Sequence, residues 1–174
     1  MNAAPIRYRI RPLNPAAHRF EVTCTINHPC AEGQRLALPA WIPGSYLIRD
    51  FARSIVSIRA EAAGKPVTLN KLDKHTWQAP AMKQSVPLTI VCEVHAWDLS
   101  VRGAHLDDTH GFFNGTSVFL RVIGQEHLPC LIDIQPPRGP AHEGWQVATA
   151  LEPARGEADA AKRHGFGCYR ASCY

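Results

Sequence analysis

The groups best suited to chemistry lie in one short stretch. His105-Leu-Asp-Asp-Thr-His110 places two imidazoles and two carboxylates within six positions, a donor set that zinc accepts when a loop folds it around the ion. A plain turn explains the same residues, because Asp and Thr side chains readily bond neighbouring backbone groups. No metal is therefore assigned to this chain. His142-Glu-Gly-Trp-Gln146 begins like the H-E-x-x-H string of zinc hydrolases, whose i, i+4 spacing sets both imidazoles on one helix face with the Glu beside the metal-bound water. It lacks the second His, contains Gly, and runs into a strand pattern. Pro43-Gly-Ser-Tyr46 lacks the second Gly of a nucleophile elbow, and no Gly-rich phosphate loop is present. Asn114-Gly-Thr116 matches a glycosylation sequon but also the strongest two-residue hairpin turn, and it is read as the turn. No catalytic residue is assigned.

Two other segments are dense in aromatic and charged groups. In Leu38-Pro-Ala-Trp-Ile-Pro-Gly-Ser-Tyr-Leu-Ile-Arg-Asp-Phe-Ala-Arg53, Pro43-Gly44 suits the centre of a type II turn, where Gly supplies the positive φ. Trp41, Tyr46 and Phe51 crowd this loop with Arg49, Asp50 and Arg53. Gly111-Phe-Phe-Asn-Gly-Thr-Ser117 offers adjacent Phe112 and Phe113. In a strand these point to opposite faces, which leaves one ring outside the core.

The elements that must carry these loops are strands. Ile6, Tyr8 and Ile10 alternate with Arg7, Arg9 and Arg11. Phe20 to Ile26, Val56 to Ala60, Val67 to Leu69, Leu88 to Ala96, Val118 to Val122, Cys130 to Ile134, Trp145 to Thr149 and Phe166 to Ala171 continue the period of two. Such half-buried strands, separated by Gly, Pro and Asn turns, predict an all-β fold, an antiparallel sandwich-like single domain over 1–174 with no internal boundary. The 14 Pro and 12 Gly among 174 residues favour short elements. Helical material is limited to one turn capped by Ser45, with Leu47, Ile48 and Phe51 on one face, and to Glu157–Arg163, an exposed helix or a loop.

Composition narrows the function classes. Hydrophobic residues at 45% and charged residues at 20% exclude a disordered chain, a collagen-like fibre and a coiled coil. A net charge of +4, with basic residues scattered among acids, gives no nucleic-acid footprint. Arg7, Arg9 and Arg11 are read as a solvated strand face. The first residues contain no apolar signal core, and no run approaches a membrane span. The 6 Cys include no C-x-x-C pair. They are read as reduced, mostly buried thiols of a cytoplasmic protein that contacts neither membrane nor nucleic acid.

Pro39-Ala-Trp-Ile-Pro-Gly-Ser-Tyr-Leu-Ile-Arg-Asp-Phe-Ala-Arg53 and Gly111-Phe-Phe-Asn-Gly-Thr-Ser117 resemble the N-terminal domain of the glycyl aminopeptidase family. These are gluzincin zinc metallopeptidases with a C-terminal PDZ domain. Trp145-Gln-Val-Ala-Thr-Ala-Leu151 and Tyr169-Arg-Ala-Ser-Cys-Tyr174 look similar too. The resemblance implies a parent enzyme that removes N-terminal residues, with a Gly or Ala preference in some members. Its zinc is held by an H-E-x-x-H helix and a downstream Glu. This chain has no H-E-x-x-H string, so it is expected to be inert alone, cut from something longer, with its own catalytic domain as partner and peptide substrate reached only indirectly. The resemblance also implies that Tyr46, Arg49, Asp50, Phe112, Phe113 and Asn114 face that domain or its substrate cleft. There an Asp could hold a substrate ammonium and an Arg a carboxylate, or all six could simply build the interdomain seam. The uncovered patch would let the isolated chain self-associate. The alternative is a free-standing β-sandwich that binds carbohydrate or protein through Trp41, Tyr46 and Phe51.

Overall fold

Alternation of apolar and charged residues becomes alternation of burial. In β1 (Ile6–Asn14), Ile6, Tyr8 and Ile10 are buried, while Arg7, Arg9 and Arg11 lie on the other face. The protein is described by a computed structural model over residues 5–42 and 44–174. The further strands are β2 (Arg19–Ile26), β3 (Arg35–Ala37), β4 (Ile55–Ala62), β5 (Lys65–Val67), β6 (Asn70–Lys71) and β7 (Thr76–Gln78). They continue with β8 (Leu88–His95), β9 (Ala104–Leu106), β10 (Gly111–Phe113), β11 (Arg121–Val122), β12 (Cys130–Ile134), β13 (Glu152–Pro153) and β14 (Gly167–Ala171). The fold is all-β.

Eight strands form one sheet in the order β13-β14-β12-β1-β2-β8-β4-β5, and a four-stranded sheet runs β11-β3-β7-β6. The inner face of the large sheet, from Ile6, Tyr8, Phe20, Val22, Ile90 and Val94, shares one core with Leu36, Leu38, Trp77 and Val122 of the smaller sheet and its flanks. Each such aliphatic side chain contributes about 1.5–3 kcal/mol by leaving water. The Tyr8 hydroxyl donates to the Leu120 carbonyl at 2.8 Å, so its one polar atom is paired, and burial drives its pKa far up. On the outer face the arginines meet acids: Arg7 with Asp159, Arg9 with Asp133 and Arg11 with Glu21.

The large sheet departs from the antiparallel expectation at one place, where β12 runs parallel to β1. The whole of β12 is buried, because Leu131 on its outer side packs with Ala154 and Cys168. A strand covered on both faces is what parallel pairing usually requires.

Four local expectations are corrected. Val118 to Val122 is not one strand: Gly115–Val118 forms a single helical turn, α1, before the two-residue β11. Asn114-Gly115 is accordingly no hairpin turn. The Asn114 Oδ1 accepts from the Thr116 amide at 3.2 Å and its hydroxyl at 2.7 Å, an N-cap that starts α1. Trp145 to Thr149 is a loop, tied to the rest by the Val147 amide donating to the His164 carbonyl at 2.9 Å rather than by a ladder. Ser45 caps no helix, because the Arg49 and Asp50 amides both turn back to the Ala40 carbonyl, at 2.7 and 3.4 Å. A 3₁₀ turn follows instead over Phe51–Ser54. Glu157–Arg163 takes the loop alternative.

Pro43, and with it half of the expected type II turn, lies outside the described residues. Gly44 has φ of 78°, and the Ser45 amide donates to the Ile42 carbonyl at 3.2 Å, as such a turn requires.

Candidate functional site

The loop from Trp41 to Arg53 leans over the end of β8 and leaves a cleft of about 520 Å³, lined by Leu47, Ile48, Arg49, Trp97, Asp98 and Ser117 among others. Val56 opens onto it as well, because a bulge between Ile55 and Ser57 turns this residue out of the strand's inward set. The rim is apolar and uncovered. Tyr46 is fully exposed, Leu47 and Ile48 are 64% and 68% exposed, and Trp97, Leu99 and Val101 are 58%, 69% and 71% exposed. Soluble domains rarely leave so many adjacent large apolar groups in water unless a surface covers them.

Arg49, Arg53 and Asp98 line the cleft, and two of these charges face each other. Arg49 Nε donates to Ser45 Oγ at 3.4 Å, and its guanidinium lies 3.9 Å from the Asp98 carboxylate. Asp98 is fixed by its loop: Oδ1 accepts from the Ser100 amide at 2.9 Å, and its own amide donates to the Ala104 carbonyl at 2.9 Å. A Cβ on Gly103 would stand 2.6 Å from the Asp98 carboxylate, so any other residue there must displace that side chain.

The six residues singled out in the sequence do not form one site. Arg49 enters the cleft. Asp50 does not line it; it sits at φ of 47° and is paired with Lys74 at 3.0 Å. Tyr46 projects from the rim. Phe112 and Phe113 line a second, apolar groove of about 190 Å³ with Phe20 and Trp145. Phe112 is 39% exposed, whereas Phe113 meets the Phe20 and Phe119 rings edge-on at 5.9 and 5.8 Å. Asn114 joins the two regions, its amide donating to the Gly103 carbonyl at 2.9 Å. The sequence reading missed Trp97, Asp98, Leu99 and Val101. The available signal was Trp97, Leu99 and Val101, large apolar residues alternating with Asp98, Ser100 and Arg102 before Gly103.

The one group of metal-competent side chains found among the described residues is His105, Asp107 and His110. It sits on the β9–β10 hairpin, which forms its own two-stranded sheet. Asp107 Oδ1 accepts from the Thr109 amide and hydroxyl at 2.7 and 2.6 Å and from the His110 amide at 2.9 Å, and Oδ2 lies 3.1 Å from His105 Nε2. The Thr109 hydroxyl, then His105 and the two amides, hold this carboxyl well below the usual carboxylate range. His105 stacks on Trp97 at 4.8 Å, and Trp97 on His18 at 3.8 Å. His142 ends a 3₁₀ turn over Pro140–His142. No helix of the H-E-x-x-H kind is built there, so the zinc set of such an enzyme does not fit this chain.

These features define an all-β domain with an apolar rim around a shallow cleft. The chain belongs to the Peptidase M61 N-terminal domain family, whose model matches residues 7–174. It is also similar to the solved structure of an aminopeptidase N family protein from Idiomarina loihiensis, with 43% identity and a TM-score of 0.86 over 97% of this chain and 27% of that chain. An M1 zinc metallopeptidase E323A mutant from Deinococcus radiodurans matches with 11% identity and a TM-score of 0.49, over 95% of this chain and 37% of that chain. Comparison with curated proteins returned no match. No helix among the described residues is long and apolar enough to cross a membrane.

Proposed function

We propose that this chain is the non-catalytic front domain of a cytoplasmic zinc-dependent aminopeptidase, with Gly or Ala favoured at the substrate's N-terminus. In this reading it packs on the catalytic domain and helps to wall the substrate cleft. The zinc, held outside this chain, would supply the activated water. The observation that carries the reading is the uncovered rim of Tyr46, Leu47, Ile48, Trp97, Leu99 and Val101 on a chain that spans 27% of its aminopeptidase-family neighbour.

Tyr46, Phe112 and Asn114 belong to the seam in this reading. Asp50 belongs there too, since its carboxylate is taken by Lys74. Left uncovered, the same rim drives self-association of the isolated chain. The free-standing binding module is less well supported, because Phe51 is only 7% exposed and takes no part in a surface with Trp41 and Tyr46.

The test is a pair of charged replacements, Ile48→Asp with Leu99→Asp, in the full-length protein and in the isolated chain. A buried seam cannot take two carboxylates without a large loss. The expected result is loss of peptidase activity or domain docking in the full-length protein, with the isolated chain still folded and more monomeric. Full activity and undisturbed docking in the full-length double variant would overturn the proposal. Asp50→Ala separates seam from substrate contact: unchanged kcat and KM with intact folding leaves a structural role.

A further inference from the structure

We infer that the β9–β10 hairpin carries a divalent transition-metal site formed by His105, Asp107 and His110. One ligand atom from each residue lies within 4.8 Å of the other two. Ligands on one zinc ion, at bonds of about 2.1 Å, stand roughly 3–4 Å apart. His105 Nε2 and Asp107 Oδ2 are at 3.1 Å, and His110 Nδ1 and Asp107 Oδ1 at 3.4 Å. The ring that must move inward, His110, is the exposed one, with 53% of its side chain in solvent.

The turn accounts for His110, whose Nδ1 meets the Thr109 hydroxyl at 2.9 Å and must give up that contact to bind an ion, but it does not account for His105. Thr109 and the His110 amide engage Asp107 Oδ1, which is enough to hold the turn. Oδ2 faces only His105. That imidazole is 3% exposed, is fixed by its stack on Trp97, and has an Nδ1 without a hydrogen-bond partner among the described residues. Its single polar contact is the carboxylate, so replacing the N–H···O bond by N–metal–O breaks nothing else at the ring. Nε2 then gives up its proton and Nδ1 carries one. No acceptor meets that N–H among the described residues, so binding is weaker than that of a ligand whose second ring nitrogen is supported. Two imidazoles and one carboxylate favour zinc, cobalt or nickel over magnesium or calcium. Water completes the coordination. The ion would tie β9 to the far side of its turn and stiffen the strand that presents Phe112 and Phe113. The inference stands apart from the aminopeptidase reading.

The experiment titrates the 174-residue chain with zinc and with cobalt, following heat, cobalt absorption and Tm. Cys30 and Cys173 are exposed, so both are replaced by Ser to remove competing thiolates. One equivalent of saturable binding is expected, with a cobalt spectrum free of sulfur charge transfer and a Tm that rises with zinc. His110→Gln and Asp107→Asn should each weaken binding by at least about tenfold. His110→Gln, at the surface, should leave the metal-free Tm in place. Absence of saturable uptake, or an unchanged affinity in His110→Gln with the fold intact, would overturn the inference.

Discussion

Gly103 lies where any Cβ would collide with the Asp98 carboxylate, at 2.6 Å from the nearest oxygen and 2.7 Å from Cγ. The collision is with a side chain that the Ser100 amide holds, on a backbone whose own amide donates to the Ala104 carbonyl. The Asp98 Cβ also lies at 2.9 Å, so the collision is not relieved by a rotamer change alone. Gly103→Ala should therefore destabilise the chain by about 1–3 kcal/mol, the usual range for overpacking, measured by urea unfolding. Removing the carboxylate should recover part of that loss, with the Asp98 Cβ still 2.9 Å away, so Gly103→Ala with Asp98→Ala should show a coupling energy in a double-mutant cycle. Additive effects would mean that the two residues do not share a constraint. Nothing in the spacing of positions 98 and 103 announces this contact. It comes from a loop fold, which carries no period to read. Arg49 is the converse case: its place in a dense, charged segment was visible in the sequence, but its partner Asp98 was not.

Asn114-Gly115 shows how one dipeptide can serve two elements. As a hairpin turn it would need positive φ at both residues. Instead Asn114 sits at φ −87° with its side chain capping α1. The two possibilities predict opposite outcomes for Gly115. In a hairpin, Gly115→Ala would be strongly destabilising. At the start of a helical turn its Cβ meets only the Phe119 ring, at an ordinary 3.4 Å, so Ala should be neutral or stabilising by up to ~1 kcal/mol. Asn114→Ala should cost about 1 kcal/mol for the lost cap. A thermal melt of each variant decides the matter. The long strands were legible because a face buried against one core imposes a period of two, as in β1, β2 and β8. The β1–β12 parallel pairing and the loop at Trp145 to Thr149 were not. Both depend on which distant segment arrives alongside, and β12 is covered on its outer side by residues beyond position 150.

Across the whole molecule, the cysteines report how closed the sheet is. None of the six is in a disulfide: Cys24, Cys92, Cys130 and Cys168 are buried, and Cys30 and Cys173 are exposed. The thiolate is the reacting species, and burial suppresses it at the four inner positions. It pushes Cys92 up to about 12 and both Cys130 and Cys168 up to about 11, with Cys24 higher still. A thiol-specific reagent at neutral pH should therefore label two groups per native chain quickly and the other four only on unfolding. The same displacement fixes the alkaline behaviour. A raised folded-state pKa means that the native chain holds its thiol protons more tightly than the unfolded chain does, whose thiols titrate near 8.5. The stability these groups contribute is complete below that pH and is lost as pH rises toward 11 or 12. Denaturant midpoints should fall steadily from pH 8 upward, and Cys92→Ala, read against its own cavity cost at pH 7, should flatten that fall. Labelling of more than two thiols before unfolding, or an alkaline limb identical in Cys92→Ala, would mean that the sheet opens to solvent around β8.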